Sequence, residues 1–194
     1  MKRVCVFCGS NAGIRAEYGL AAQGLATVLV RRGLGLVYGG GNVGLMGVRA
    51  DSMLQAGGEV IGVIPQSLGA KEVAHRGVTE LRIVDTMHQR KALMNDLSDA
   101  FIALPGGFGT LDEFFEILTW SQLGIHGKPS GLLNVSGYYD SLLAMLDHAV
   151  TEGLLRPAHR ELVIADTDAD SLVQRLVSFS PMQAGKRAAK SDLM

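Results

Sequence analysis

Glu113 is the residue with the most chemistry within reach: a carboxylate that closes the segment Pro105-Gly106-Gly107-Phe108-Gly109-Thr110-Leu111-Asp112-Glu113. A glycine-rich turn running into a helix offers an anion backbone N–H groups and the helix's positive end, with no side chains in the way. Thr110 and Glu113 also have capping-box spacing, in which the glutamate does no more than tie back a backbone N–H. Upstream, Met87-His88-Gln89-Arg90-Lys91 places two adjacent cations at the start of a helix. An arginine fork there suits a phosphate or carboxylate, although a solvated helix face would use the same residues. His88 reads as surface or supporting, because no H-E-x-x-H or comparable metal spacing occurs, and no metal is expected.

Two further turns are rich in small residues: Gly9-Ser10-Asn11-Ala12-Gly13 and Gly39-Gly40-Gly41-Asn42-Val43-Gly44-Leu45-Met46-Gly47. Gly39-x-Gly41-x-x-Gly44 has the local context of a dinucleotide fingerprint. It follows the second strand rather than the first, however, and Glu59 is poorly placed as the ribose-binding acid. Two readings remain for these turns. One is a phosphate site, with Gly9, Ser10, Gly40 and Gly41 as phosphate or ribose contacts; the other is tight turning and close helix–sheet packing.

Short β-branched runs alternate with segments of helical period, the pattern of βα units and a parallel sheet. Strands are predicted near residues 3–8, 34–38, 59–64, 80–84, 100–104, 130–134 and 161–165, with helices at about 15–32, 43–56, 86–98, 110–124, 138–152 and 168–178. The expected fold is α/β, a doubly wound Rossmann-like sheet, mostly parallel, with helices on both faces. All three glycine-rich turns fall at carboxyl ends of strands, where open α/β sheets bind ligands.

The 194 residues fit one domain, expected over 1–180, with 181–194 a disordered tail that lacks apolar periodicity. A net charge of −1 gives no global pull toward nucleic acid or anionic membrane. The apolar start breaks at Gly9, too early for a signal peptide, and no stretch approaches a bilayer span, so a cytoplasmic location is expected. Cys5 and Cys8 share one strand and point to opposite faces, so they are read as core residues rather than a disulfide or half a zinc site.

The paired motifs Met87-His88-Gln89-Arg90-Lys91 and Pro105-Gly106-Gly107-Phe108-Gly109-Thr110-Leu111-Asp112-Glu113 resemble the Lonely Guy (LOG) family, cytokinin riboside 5′-monophosphate phosphoribohydrolases. The similarity also takes in Val4 to Ser10, Tyr38 to Gly41, Gly44 to Gly47, Gly131 to Asn134 and Gly137 to Tyr139. The resemblance implies hydrolysis of AMP or an N6-modified AMP to free base and ribose 5-phosphate, with no cofactor. It implies Arg90 and Glu113 as the catalytic pair. Glu72, Lys91, Gly107, Phe108, Gly109, Thr110, Leu111, Asp112 and Thr119 would then contact the nucleotide. An older family label, lysine decarboxylase, would need pyridoxal phosphate chemistry, for which no supporting lysine motif is present.

Cleaving an N-glycosidic bond builds positive charge on the ribose, which a carboxylate stabilises. Placed in the first helical turn, Glu113 is expected to be ionised by the helix dipole and to act as electrostatic stabiliser or base toward water. Arg90 would orient the nucleotide by its phosphate or its base. On the same helix Leu111, Phe114, Phe115 and Leu118 form one stripe and Trp120 the opposite side, so a ligand base or a second subunit is expected to cover Trp120. A homodimer or higher homo-oligomer is the expectation from the resemblance. A non-catalytic nucleotide or cofactor carrier of the same fold is the alternative. A nicotinamide-dependent oxidoreductase is the third reading, resting on Gly39-x-Gly41-x-x-Gly44 alone.

Overall fold

The computed structural model describes residues 1–69 and 74–179. Seven strands form one sheet: β1 (Arg3–Phe7), β2 (Gly35–Tyr38), β3 (Val60–Pro65), β4 (Glu80–Val84), β5 (Ala100–Ala103), β6 (Ser130–Leu133) and β7 (Val163–Asp166). Their order is β4-β3-β2-β1-β5-β6-β7 and every pairing is parallel. The connecting helices are α1 (Ala16–Arg31), α2 (Gly44–Gln55), α3 (Gln66–Gly69), α4 (Met87–Asp96), α5 (Phe108–Gln122), α6 (Asp140–Thr151), α7 (Pro157–Arg160) and α8 (Ala169–Val177). All predicted strands and long helices are present; the four-residue α3 and α7 are too short to show a period.

Alternation along the central strands divides the core into two layers, as a sheet covered on both faces requires. Val4, Val6 and Cys8 pack with Ile102, Leu25, Leu29, Met53 and Leu172 on the side of α1, α2 and α8. Cys5 and Phe7 pack with Phe101, Met94, Phe114, Ile117 and Leu118 on the side of α4 and α5. The two cysteines are therefore free, buried and on opposite faces, as their spacing implied.

From β1 the chain winds out to β4 and returns to β5 beside β1, so the winding reverses between these two strands. The crevice at such a reversal is the natural ligand site of the fold. Backbone bonds keep the two strand ends level: Leu104 N–H donates to Phe7 O at 2.9 Å, and Gly9 N–H to Pro105 O at 3.0 Å. The start of α6 braces the same end. Tyr139 donates its hydroxyl to Leu104 O at 2.6 Å, and Tyr138 its hydroxyl to Gly106 O at 2.7 Å. Asn134 holds this corner, accepting from Tyr139 N–H and donating to Asp140 Oδ1, both at 2.7 Å.

Tyr139 is almost fully buried, so losing its hydroxyl leaves a buried carbonyl short of a donor. Tyr139→Phe is expected to lower unfolding stability by about 1–2 kcal/mol, and Tyr138→Phe, whose side chain is open to water, by less. Urea denaturation checks both; a Tyr139→Phe protein as stable as wild type would remove the brace from the account.

Candidate active site

A cleft of about 460 Å³ opens at the β1/β5 reversal. Its walls come from the first glycine turn (Gly9 to Gly13), the third (Pro105 to Thr110) and Leu45 and Met46 at the start of α2. Tyr18, Leu68 and Tyr138 close the sides, and Arg90 and Glu113 supply the charge. Of the expected contacts, Gly9, Ser10, Gly107, Phe108, Gly109 and Thr110 line the cleft together with the expected catalytic pair.

Helix α5 begins at Phe108 with Gly107 as N-cap and no side-chain cap. The capping box that the Thr110-to-Glu113 spacing allowed as the alternative role is therefore absent: the helix starts too early for Thr110 to cap it, and Glu113 lies in the second turn. The box forms instead at α4, where Gln89 N–H donates to Thr86 Oγ1 at 3.2 Å and Thr86 N–H to Gln89 Oε1 at 3.2 Å. Glu113 is thus released from a capping role. Its expected ionisation by the helix dipole also needs correction, because that field fades beyond the first turn.

The carboxylate instead faces Arg90, whose Nη1 lies 3.0 Å from Glu113 Oε1, with both side chains 11% exposed. The two are not aligned for a hydrogen bond, so Oε1 is left buried without one. Burial pushes the Glu113 carboxyl above the ordinary carboxylate range; Arg90 opposes this most, Asp112 adds to it, and Lys91 and Arg49 oppose it. Arg90 is fixed from below by its Nε, which donates to Val63 O at 3.1 Å. Gly39 makes room for it: a Cβ there would stand 1.8 Å from Arg90 Nη2. The fingerprint-like glycine run thus seats an arginine, while Gly40 and Gly41 lie outside the cleft lining.

At Gly107 and Gly109 the missing side chains serve neither packing nor a left-handed backbone. A Cβ at either would meet nothing within 4 Å, so the absence of one leaves the α5 N-terminus open to the cleft. Gly106 differs, since a Cβ there would collide with Thr110 Oγ1 at 2.1 Å.

Other expected contacts fall elsewhere. Lys91 is held by Asp112 at 3.1 Å and Glu116 at 3.0 Å, and neither Lys91 nor Asp112 lines the cleft. Leu111 packs against the core below α5. Thr119 is exposed and donates its hydroxyl to Phe115 O at 2.8 Å. Glu72 lies outside the described residues. Trp120, expected on the side away from the core, is half-buried against the α5 core layer and outside the cleft, because Ile117 and Leu118 carry that layer round toward it. Sequence reasoning missed Cys8, Tyr18, Met46, Leu68 and Tyr138 as cleft walls; Cys8, Met46 and Tyr138 fall in segments that carry the resemblance and so held a signal, whereas Tyr18 and Leu68 held none.

No lysine lines the cleft among the described residues, so the donors present do not fit a pyridoxal phosphate Schiff base. No described helix is long and apolar enough to cross a membrane.

A family model described as "Possible lysine decarboxylase" matches residues 46–176. The chain is 55% identical over 181 residues to "Probable cytokinin riboside 5'-monophosphate phosphoribohydrolase LOGL9" of Oryza sativa subsp. japonica, covering 93% of this chain and 80% of the relative. It is 50% identical over 190 residues to cytokinin riboside 5'-monophosphate phosphoribohydrolase LOG1 of Arabidopsis thaliana, covering 98% and 89%. Among solved structures it resembles the molybdenum cofactor carrier protein of Chlamydomonas reinhardtii, with TM-score 0.68, 22% identity and coverage of 92% and 99%. That likeness speaks for the fold alone, whereas identity of half or more across nearly the whole chain speaks for descent: the chain belongs to the Lonely Guy family of cytokinin riboside 5′-monophosphate phosphoribohydrolases.

Proposed function

We propose that this protein hydrolyses the N-glycosidic bond of an adenosine 5′-monophosphate, plain or N6-modified, releasing the base and ribose 5-phosphate. The observation that carries the reading is the Arg90–Glu113 pair, buried in the cleft wall beside the open N-terminus of α5. The 5′-phosphate sits on the backbone N–H groups of Gly107, Phe108, Gly109 and Thr110, where the helix end favours an anion. Glu113 faces the ribose. As the bond from C1′ to the base breaks, its electrons leave with the base and the sugar becomes cationic; the carboxylate stabilises that charge and takes a proton from the attacking water, whose hydroxide adds to C1′, while the departing base gains a proton from solvent and Glu113 returns its own to solvent. Arg90 opposes the effect of burial on the Glu113 carboxyl and stands 3.0 Å from it, so the pair is built before substrate arrives.

The carrier alternative would bind nucleotide and release nothing. Chromatography of AMP incubated with the protein is expected to show free adenine and ribose 5-phosphate; intact AMP after binding would favour the carrier.

The assembly follows from what α5 leaves uncovered. Leu123 and Ile125, at its carboxyl end, are 66% and 63% exposed, and we assign them to a homodimer contact. Since Trp120 already packs within the chain, the pair Leu123→Glu and Ile125→Glu is the cleaner probe. Light scattering is expected to find a wild-type dimer and a doubly substituted monomer; a monomeric wild type at micromolar concentration would refute the contact.

Glu113→Gln keeps the side chain's size and removes its charge. Turnover at saturating AMP is expected to fall about a hundredfold to a thousandfold while AMP affinity stays nearly unchanged. In the wild type, burial raises the Glu113 carboxyl, and the reaction needs its ionised form. Activity should therefore fail on the acid side at a pH above the ordinary glutamate range. A rate profile flat through that region, or near-normal turnover in Glu113→Gln, would contradict the assignment.

A further inference from the structure

Arg49, on α2, is 0% exposed, the largest fully buried side chain among the described residues. Its partners are weak. Nη1 donates to Cys8 Sγ at 3.2 Å and the guanidinium lies 5.4 Å from the Tyr38 ring centre, while Nε and Nη2 have no hydrogen-bond partner among the described residues. No described carboxylate forms an ion pair with it. The Tyr38 hydroxyl beside it is also buried and unpartnered. A buried cation served this poorly lowers stability, and a hydrophobic residue of similar volume would be expected to pack better. Such a feature calls for a reason outside the fold.

Its place supplies the reason. Cys8, the residue Arg49 touches, lines the cleft with Arg90 and Glu113. Cys5 and Cys8, one on each face of β1, both feel the charges of Arg49 and Glu113. Arg49 therefore lies under the cleft floor, separated from substrate by the end of β1. We propose that Arg49 is a positioning residue for the reaction: a fixed positive charge sealed beneath Cys8 that supports the Glu113 carboxylate from under the cleft wall.

The charged and titratable groups that interact with Glu113 are Arg90 and Lys91 from α4, Asp112 on its own helix, Arg49 from α2, the Cys5 thiol within β1 and the Cys8 thiol just beyond it. Burial holds both thiols neutral, so they add no charge of their own. Lys91 acts on Glu113 more strongly than Arg49 does, and it is shared with Asp112 and Glu116. Arg49 has no such competing carboxylate among the described residues, and its charge acts through a dry interior where screening is slight.

The inference rests on the proposed role of Glu113 and is tested apart from turnover. Carboxyl carbon NMR, with the Glu113 signal identified by its loss in Glu113→Gln, follows that group's titration in wild type, Arg49→Met and Arg49→Lys. The Glu113 midpoint is expected to move up in Arg49→Met and return toward wild type in Arg49→Lys. The thermal midpoint of Arg49→Met is expected to rise, since a poorly satisfied charge has been removed. In parallel, the acid limb of adenine release should move up in Arg49→Met, with a several-fold loss of rate on the acid side. An unchanged Glu113 midpoint in a folded Arg49→Met protein overturns the proposal. So does failure of both Arg49→Met and Arg49→Gln to fold, which would make the arginine a structural residue. A wild type that releases no adenine defeats the proposed reaction instead, and the NMR comparison still decides Arg49.

Discussion

A single ion pair in the cleft, Arg90 to Glu113, sets the terms for the surrounding structure. Two long charged side chains brought together at 11% exposure lose much of their hydration, and only rigid supports on both sides make the arrangement tolerable. The supports come from separate elements. Thr86 and Gln89 cap α4 and fix the turn that carries Arg90, Val63 O takes its Nε, and Gly39 gives up a side chain so that the guanidinium can lie over the end of β2. On the other side α5 delivers Glu113 from its second turn, anchored by Phe114, Ile117 and Leu118 in the core. The sheet reversal between β1 and β5 is what brings these helices to one crevice.

The fold was legible because its strands are short apolar runs and its helices amphipathic, and the parallel order follows from strict alternation. The site was legible in part. Arg90, Glu113 and the turn from Gly107 to Thr110 converge as the motifs implied. What failed concerned local geometry that a shift of a few residues can reverse. Thr110 and Glu113 have capping-box spacing, but α5 starts at Phe108, and the true box uses Thr86 and Gln89. Adjacent positions on a helix point about 100° apart, so Arg90 and Lys91 look like one clamp in sequence and serve different partners in space. Arg49 was invisible for another reason: a lone arginine in an apolar helix reads as surface until its burial is known.

The same architecture occurs in a molybdenum cofactor carrier at 22% identity, so the fold alone does not fix the chemistry of the cleft. The open α5 N-terminus suits holding a phosphate. The buried carboxylate suits cleavage, since an anion kept at a cost in desolvation yields most where positive charge develops late. Glycine use follows the same division: Gly39 and Gly106 stay small so that the protein fits itself, whereas Gly107 and Gly109 stay small toward empty cleft.

A crystal structure of the Glu113→Gln protein with AMP tests the central claim most directly, because the slowed variant retains an intact nucleotide. The account predicts the phosphate on the backbone N–H groups of Gly107 to Thr110, and the bond from C1′ to the base beside the substituted side chain and Arg90. A phosphate seated instead on Gly40 and Gly41, or a glycosidic bond turned away from position 113, would contradict it.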